Sequence, residues 1–236
     1  MPVTEIAVGS DRMSAYVSGP AGRGPWPGVV VVHDALGMTT DLRNQADWLA
    51  DHGYLAVAPD LYHRGGRRRC LIPTMRAMAA GTGRSFEDLD AARSWLCGRG
   101  DCSGRVGVIG FCMGGGYALM LASTGEYRAS SVNYGMIDDA ESVLATACPV
   151  VASFGGKDRS LRSAPETLER ALAANGVEHD VKVYPEAGHG FLNDHAPGET
   201  PIWAVVAGRF ANTGYHEPSA IDARQRIIGF FDQHLA

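Results

Sequence analysis

The sequence lacks any apolar run of the ~18–20 residues that a membrane-spanning helix needs, so no membrane partner is expected. It also lacks an excess of positive charge: 21 Lys and Arg stand against 26 Asp and Glu, a formal net charge of -5. That balance excludes the electrostatic footprint of a nucleic-acid binder. The one basic run, Arg67-Arg68-Arg69 with Arg64 nearby, is short and reads as a solvated loop. The opening residues, Met1-Pro2-Val3-Thr4-Glu5, lack the basic-then-apolar pattern of a secretory signal, so a cytoplasmic location is expected. There is no C-x-x-C pair, which argues against a structural zinc site, and neither a metal nor another cofactor is expected. Internal repeats, low-complexity segments and linkers are absent as well.

What is present suits one globular domain spanning residues 1–236. That length fits a single α/β unit, and 45% hydrophobic with 20% charged residues is ordinary globular usage. The 30 glycines show no collagen-like period and point to many tight turns. Five cysteines, at 70, 97, 102, 112 and 148, cannot all pair within one chain. Reduced thiols are therefore expected, and at least one needs another explanation.

Hydrophobic patterning predicts alternating strands and helices. Val29-Val30-Val31-Val32 follows the turn-rich Gly24-Pro25-Trp26-Pro27-Gly28 and reads as a buried strand. Further strands are expected at 54–58, 105–109, 129–133, 149–154 and 180–184. Helices are expected at 42–51, 85–96, 113–122, 139–145, 164–174 and 219–235. Ser85 and Asp88 resemble a capping box opening the second of these. Residues 5–8 and 12–17 flank Gly9-Ser10-Asp11 as an edge hairpin. Alternation of this kind implies crossovers and a mainly parallel twisted sheet with helices on both faces. Two segments, about 61–84 and 190–218, read as long loops of the kind that form lids or binding sites.

The chemistry centres on Gly110-Phe111-Cys112-Met113-Gly114, between a predicted strand and a predicted helix. It follows the nucleophile-elbow pattern G-x-S-x-G of the α/β-hydrolase fold, with cysteine in place of serine. Such a turn is tight enough to strain the nucleophile's backbone and to need small residues on either side. It lifts the side chain clear of the sheet and sets a sulfur at a helix N-terminus, where a thiolate is favoured. A dinucleotide fingerprint needs G-x-G-x-x-G, which Gly110, Gly114, Gly115 and Gly116 do not match.

A nucleophile needs a base and a group to orient that base. Asp158 follows one predicted strand and His189 the next, in the order nucleophile, acid, histidine that this fold uses. All three lie beyond the carboxyl ends of strands, where open parallel sheets bind ligands. His33, His195 and His216 are weaker candidates for the base. His33-Asp34-Ala35-Leu36-Gly37 follows the valine strand, where the second oxyanion donor belongs. The N–H groups of Met113 and Ala35, or Leu36 in place of Ala35, are expected to face the oxyanion, with Asp34 near the sulfur.

On these residues, together with Ala58-Pro59-Asp60-Leu61-Tyr62 and Ala187-Gly188-His189, the chain resembles the dienelactone hydrolase family over nearly its whole length. The resemblance implies a Cys112-Asp158-His189 triad, no cofactor, and cleavage of a cyclic enol ester. The family's substrate is a carboxymethylene-butenolide, opened to maleylacetate in aromatic catabolism. Tyr134 matches a family pocket tyrosine, and with Asp34 and Leu36 it is expected to contact substrate. The chain departs from the family at three places. Asp34 stands where Glu is common. Gly190 and Asn193 stand where characterised members carry a Ser and an Arg that bind the substrate carboxylate. The loop after Tyr62 is shorter and differently composed, so the family's other carboxylate-binding arginine has no matching position, and Arg76 is a weak candidate for it. Three readings are open: a dienelactone hydrolase, a hydrolase of neutral esters or thioesters on the same triad, and a non-catalytic binding protein on this fold. In the first two the partner is a small ester or lactone, and the sequence leaves the oligomeric state open.

Overall fold

The computed structural model describes residues 3–201, 208 and 211–235. Eight strands form one sheet in the order β1-β2-β4-β3-β5-β6-β7-β8. They are β1 (Val3–Val8), β2 (Asp11–Ser18), β3 (Trp26–Val32), β4 (Leu55–Pro59), β5 (Cys102–Phe111), β6 (Ser130–Asn133), β7 (Val150–Gly155) and β8 (His179–Tyr184). β1 and β2 form the predicted edge hairpin, and β2 runs antiparallel to β4. Every pairing from β4 through β3 to β8 is parallel. This is an α/β-hydrolase arrangement.

The valine run shows why a strand of this kind carries no polar face. Strand side chains alternate between faces, and β3 sends Val30 and Val32 into one core and Val29 and Val31 into the other. All four are fully buried, each contributing roughly 1.5–3 kcal/mol of transfer free energy. One core lies under α3 (Arg84–Cys97), α4 (Met113–Ala122) and α6 (Ala164–Ala174). The other lies under α1 (Thr40–Asp51) and the C-terminal helix α7 (Glu217–Leu235), whose Ile227, Phe231 and Leu235 form the predicted stripe. No helix among the described residues is long and apolar enough to cross a membrane.

Three local expectations need correction. The segment after Tyr62 holds a helix, α2 (Arg67–Ala80), rather than a long loop. Its glycines mislead because they are its boundaries: Gly66 precedes it at φ 75° and Gly81 ends it in the left-handed conformation at φ 66°. Only Thr74 is buried, and Pro73 lies inside, so α2 has no apolar stripe to read. It is held instead by tertiary contact, with the Tyr117 hydroxyl donating to the Thr74 carbonyl at 2.7 Å. Second, α3 starts at Arg84 after Gly83, with no side-chain cap. The Asp88 carboxylate is taken by Arg64 Nη1 at 2.8 Å. Third, the helix expected at 139–145 is a single turn, α5 (Ala140–Val143), continued by a 3-10 turn at Leu144–Thr146.

Candidate active site

Cys112 sits between the end of β5 and the start of α4 at φ 55° and ψ -114°. A non-glycine residue held there stores of order 1–3 kcal/mol of strain, so the surroundings must enforce it. They do so through close backbone approach. A Cβ on Gly110 would overlap the Gly114 carbonyl, and one on Gly114 would overlap Val32 O and lie 2.8 Å from His33 O. The elbow is thus wedged against the carboxyl end of β3. The Cys112 N–H donates to Asn133 O at 3.0 Å and its carbonyl accepts from Gly115 N at 2.9 Å, which closes the turn.

Asp158 reaches this point from the loop after β7 and His189 from the loop after β8. The loops after β7 and β8 are pressed together: a Cβ on Gly155 would overlap Gly188 O and lie 2.7 Å from Ala187 O. Asp158 is 2% exposed. Its Oδ1 accepts from Ser160 N at 2.9 Å and Ser160 Oγ at 2.6 Å, and its Oδ2 lies 2.7 Å from His189 Nδ1. Burial would raise the Asp158 pKa, but its hydrogen bonds from His189 and Ser160 hold it below the ordinary carboxylate value.

Because Asp158 occupies Nδ1, the other ring nitrogen of His189 is the one left to serve the Cys112 sulfur. Burial works against a charged imidazole. The neighbouring Cys112 and the Asp158 hydrogen bond outweigh it, and the His189 pKa is pushed up to about 10. A sulfur, an imidazole and a carboxylate in series can store a proton on the ring and leave charge on the sulfur.

The loop after β3 closes a third side. Leu36 N–H is engaged, donating to Asp34 Oδ1 at 2.7 Å. The N–H groups of Ala35 and Met113 donate to no acceptor among the described residues. This separates Ala35 from Leu36 as the unpaired donor. Tyr62 Oη donates to Ala35 O at 3.2 Å and steadies the loop from below. The Asp34 carboxylate also pairs across the site, its Oδ2 lying 2.9 Å from His195 Nε2.

The remaining candidates divide. Tyr134, at φ 44°, is buried with its ring centroid 5.1 Å from that of His189. Its hydroxyl donates to Asn193 Oδ1. Asn193 is itself buried, donating to Asp41 Oδ2 at 2.6 Å. Asp41 also accepts from Asp194 N at 2.9 Å and Gln45 Nε2 at 3.2 Å. Asn193 is therefore a strut between the His189 loop and α1. Arg76 is exposed on α2. His216 sets its Nδ1 2.8 Å from Ser219 Oγ at the start of α7. The segment from Gly214 lies beside the His189 loop, where Gly214 N donates to His189 O at 3.2 Å and His216 N to Phe191 O at 3.1 Å. Residues 202–207 and 209–210 of the predicted 190–218 loop lie outside the described residues. Sequence reading missed Asp41, Gln45 and the Asp34–His195 pair, because their partners are distant in the chain and no local motif announces them.

Comparisons with known proteins agree on one relationship. The model of the dienelactone hydrolase family matches residues 13–235. A carboxymethylenebutenolidase of Pseudomonas putida is 30% identical over 206 residues, covering 82% of this chain and 86% of that protein. A protein of Salmonella typhimurium, provisionally named as a carboxymethylenebutenolidase, is 32% identical over 250 residues, covering 98% and 87%. The crystal structure of a provisional dienelactone hydrolase from Klebsiella pneumoniae superposes with a TM-score of 0.80 at 28% identity, covering 99% of each chain.

Proposed function

The chain belongs to the dienelactone hydrolase family, and from that premise we propose that it hydrolyses a small ester or lactone through an acyl-cysteine formed on Cys112. The observation that carries this reading is the series Asp158 Oδ2, His189 Nδ1 at 2.7 Å, and Cys112 on a strained strand-to-helix turn at φ 55°.

The Cys112 proton passes to His189, and the sulfur attacks the carbonyl carbon. The oxyanion is met by the N–H groups of Met113 and Ala35, each donor contributing about 2.7–4 kcal/mol to the transition state. The C–O bond breaks, His189 returns the proton to the leaving oxygen, and the acyl group remains on sulfur. An enolate leaving group needs little of that protonation. Water then attacks the acyl-cysteine, gives a proton to His189 and releases the acid and Cys112. Asp158 keeps the ring oriented and stabilises its charged form.

A second reading concerns substrate charge. Asn193 is a buried strut and Gly190 has no side chain, so neither offers a charged hydrogen bond to a carboxylate. Such bonds are worth roughly 1.5–3 kcal/mol each. This favours neutral esters or lactones over an anionic dienelactone. A panel comparing both substrate classes on wild type and Cys112→Ala tests the two readings. Turnover by Cys112→Ala above a few per cent of wild type overturns the mechanism, and a preference for the anionic dienelactone overturns the neutral-substrate reading.

A further inference from the structure

We propose that His33, held as the neutral Nδ1–H tautomer, is the positioning residue that aims the Ala35 N–H at the developing oxyanion. The inference rests on the acyl-transfer reading above and adds to it a group that touches no substrate.

His33 is fully buried behind the β3 loop, its ring stacked at a tilt on Tyr62 with centroids 4.6 Å apart. Both ring nitrogens are engaged. Nδ1 lies 2.6 Å from the carbonyl oxygen of Asp34, and Nε2 lies 3.2 Å from the backbone nitrogen of Leu61. A carbonyl only accepts and a backbone N–H only donates. The proton therefore belongs on Nδ1, and Nε2 is bare. Burial pushes the His33 pKa below its ordinary value and outweighs the attraction of Asp34 and Asp60, which keeps this tautomer neutral.

The consequence comes from peptide geometry. The carbonyl of Asp34 and the N–H of Ala35 belong to one planar trans unit, so they point in opposite directions. Gripping Asp34 O from behind fixes the direction of Ala35 N–H in front. Gly37 N reinforces the grip on the same oxygen at 3.3 Å. The Asp34 side chain is turned to other partners, Leu36 N on one oxygen and His195 Nε2 on the other, and takes no bond from the Ala35 N–H. The result is one unpaired donor in a loop whose neighbouring groups are anchored.

Three variants separate this role from simple core packing. The amide nitrogen of Asn reaches the place of Nδ1, so His33→Asn keeps the donor to Asp34 O and loses the acceptor for Leu61. The longer Gln reaches the place of Nε2, so His33→Gln does the reverse. His33→Leu loses both. On a neutral aryl ester, kcat is expected to fall roughly 10- to 100-fold in His33→Gln and His33→Leu, the scale on which misplacing an oxyanion donor acts, with KM within about threefold. His33→Asn recovers most of that loss even where its melting temperature is the lower. Alkylation of Cys112 by iodoacetamide is displacement at a saturated carbon and develops no oxyanion, so its rate stays within about twofold in all three. Loss of kcat that follows melting temperature across the series, or alkylation slowed as much as kcat, overturns the proposal. If a variant fails to fold, the wild type still decides: a long-range ¹H–¹⁵N spectrum of the His33 ring that places its proton on Nε2 overturns it. Failure of wild type to acylate Cys112 would instead remove the functional reading beneath it.

Discussion

Asp34 Oδ2 meets His195 Nε2 at 2.9 Å while Asp34 Oδ1 holds Leu36 N–H at 2.7 Å, so one carboxylate joins the β3 loop to the segment that follows His189. The pair draws two walls of the candidate site together, and its charge state sets how firmly.

Burial alone would lower the His195 pKa; the hydrogen bond with Asp34 carries it above the ordinary value. The protonated pair therefore stabilises the fold fully below the unfolded pKa of about 6.5 and loses that contribution as pH rises through the raised value. His195→Gln is expected to cost roughly 1 kcal/mol at acidic pH and progressively less as the solution is made alkaline. Urea unfolding of both proteins across that range measures it. A cost that does not change with pH would refute this account of the pair.

His189 behaves in the opposite spirit to a free surface histidine. Burial opposes its charge, and the Cys112 sulfur is the largest influence restoring it, to a pKa of about 10. In Cys112→Ala the restoring charge is gone, so the His189 midpoint is expected to move down. NMR titration of the ring in both proteins reads the difference, and equal midpoints would contradict it.

Two glycine substitutions should move stability in opposite directions. Gly114→Ala places a methyl against Val32 O and His33 O, an overlap that backbone cannot relieve cheaply, and is expected to cost more than about 3 kcal/mol. Gly229 lies exposed within α7 with nothing within 4 Å of an added Cβ. Gly229→Ala should gain about 0.5–1 kcal/mol from helix propensity. Thermal melts of the two variants test the pair.

Asn193 supports the site without touching its chemistry. Asn193→Ala leaves the Tyr134 hydroxyl and one Asp41 oxygen without a buried partner, which should cost roughly 1–3 kcal/mol. Denaturant midpoints measure this, and a stability equal to wild type would show that the strut is dispensable.

The residues that were legible in advance share a feature: each announces itself within a few positions of its own chain. Gly110-Phe111-Cys112-Met113-Gly114 reads as an elbow because backbone crowding must be relieved locally, and the overlaps at Gly110 and Gly114 are that crowding. The strand ends before Asp158 and His189 were visible because β7 and the loop after β8 carry their own turn residues. Helix α2 was hidden because Tyr117 on another helix holds it, not a stripe of its own. Ser85 and Asp88 resembled a cap, but Arg64 claims the carboxylate. The Asp41–Asn193–Tyr134 network and the Asp34–His195 pair depend on which loops the sheet order brings together, and no local periodicity encodes that.

The proposed mechanism turns on an acyl group carried on Cys112. Intact-mass spectrometry of the protein quenched during turnover of a neutral aryl ester tests it most directly. Wild type is expected to gain the mass of one acyl group, mapped by proteolysis to the peptide holding Cys112, while Cys112→Ala gains none and turns over no substrate. Turnover with no adduct on Cys112, together with activity persisting in Cys112→Ala, would contradict the account.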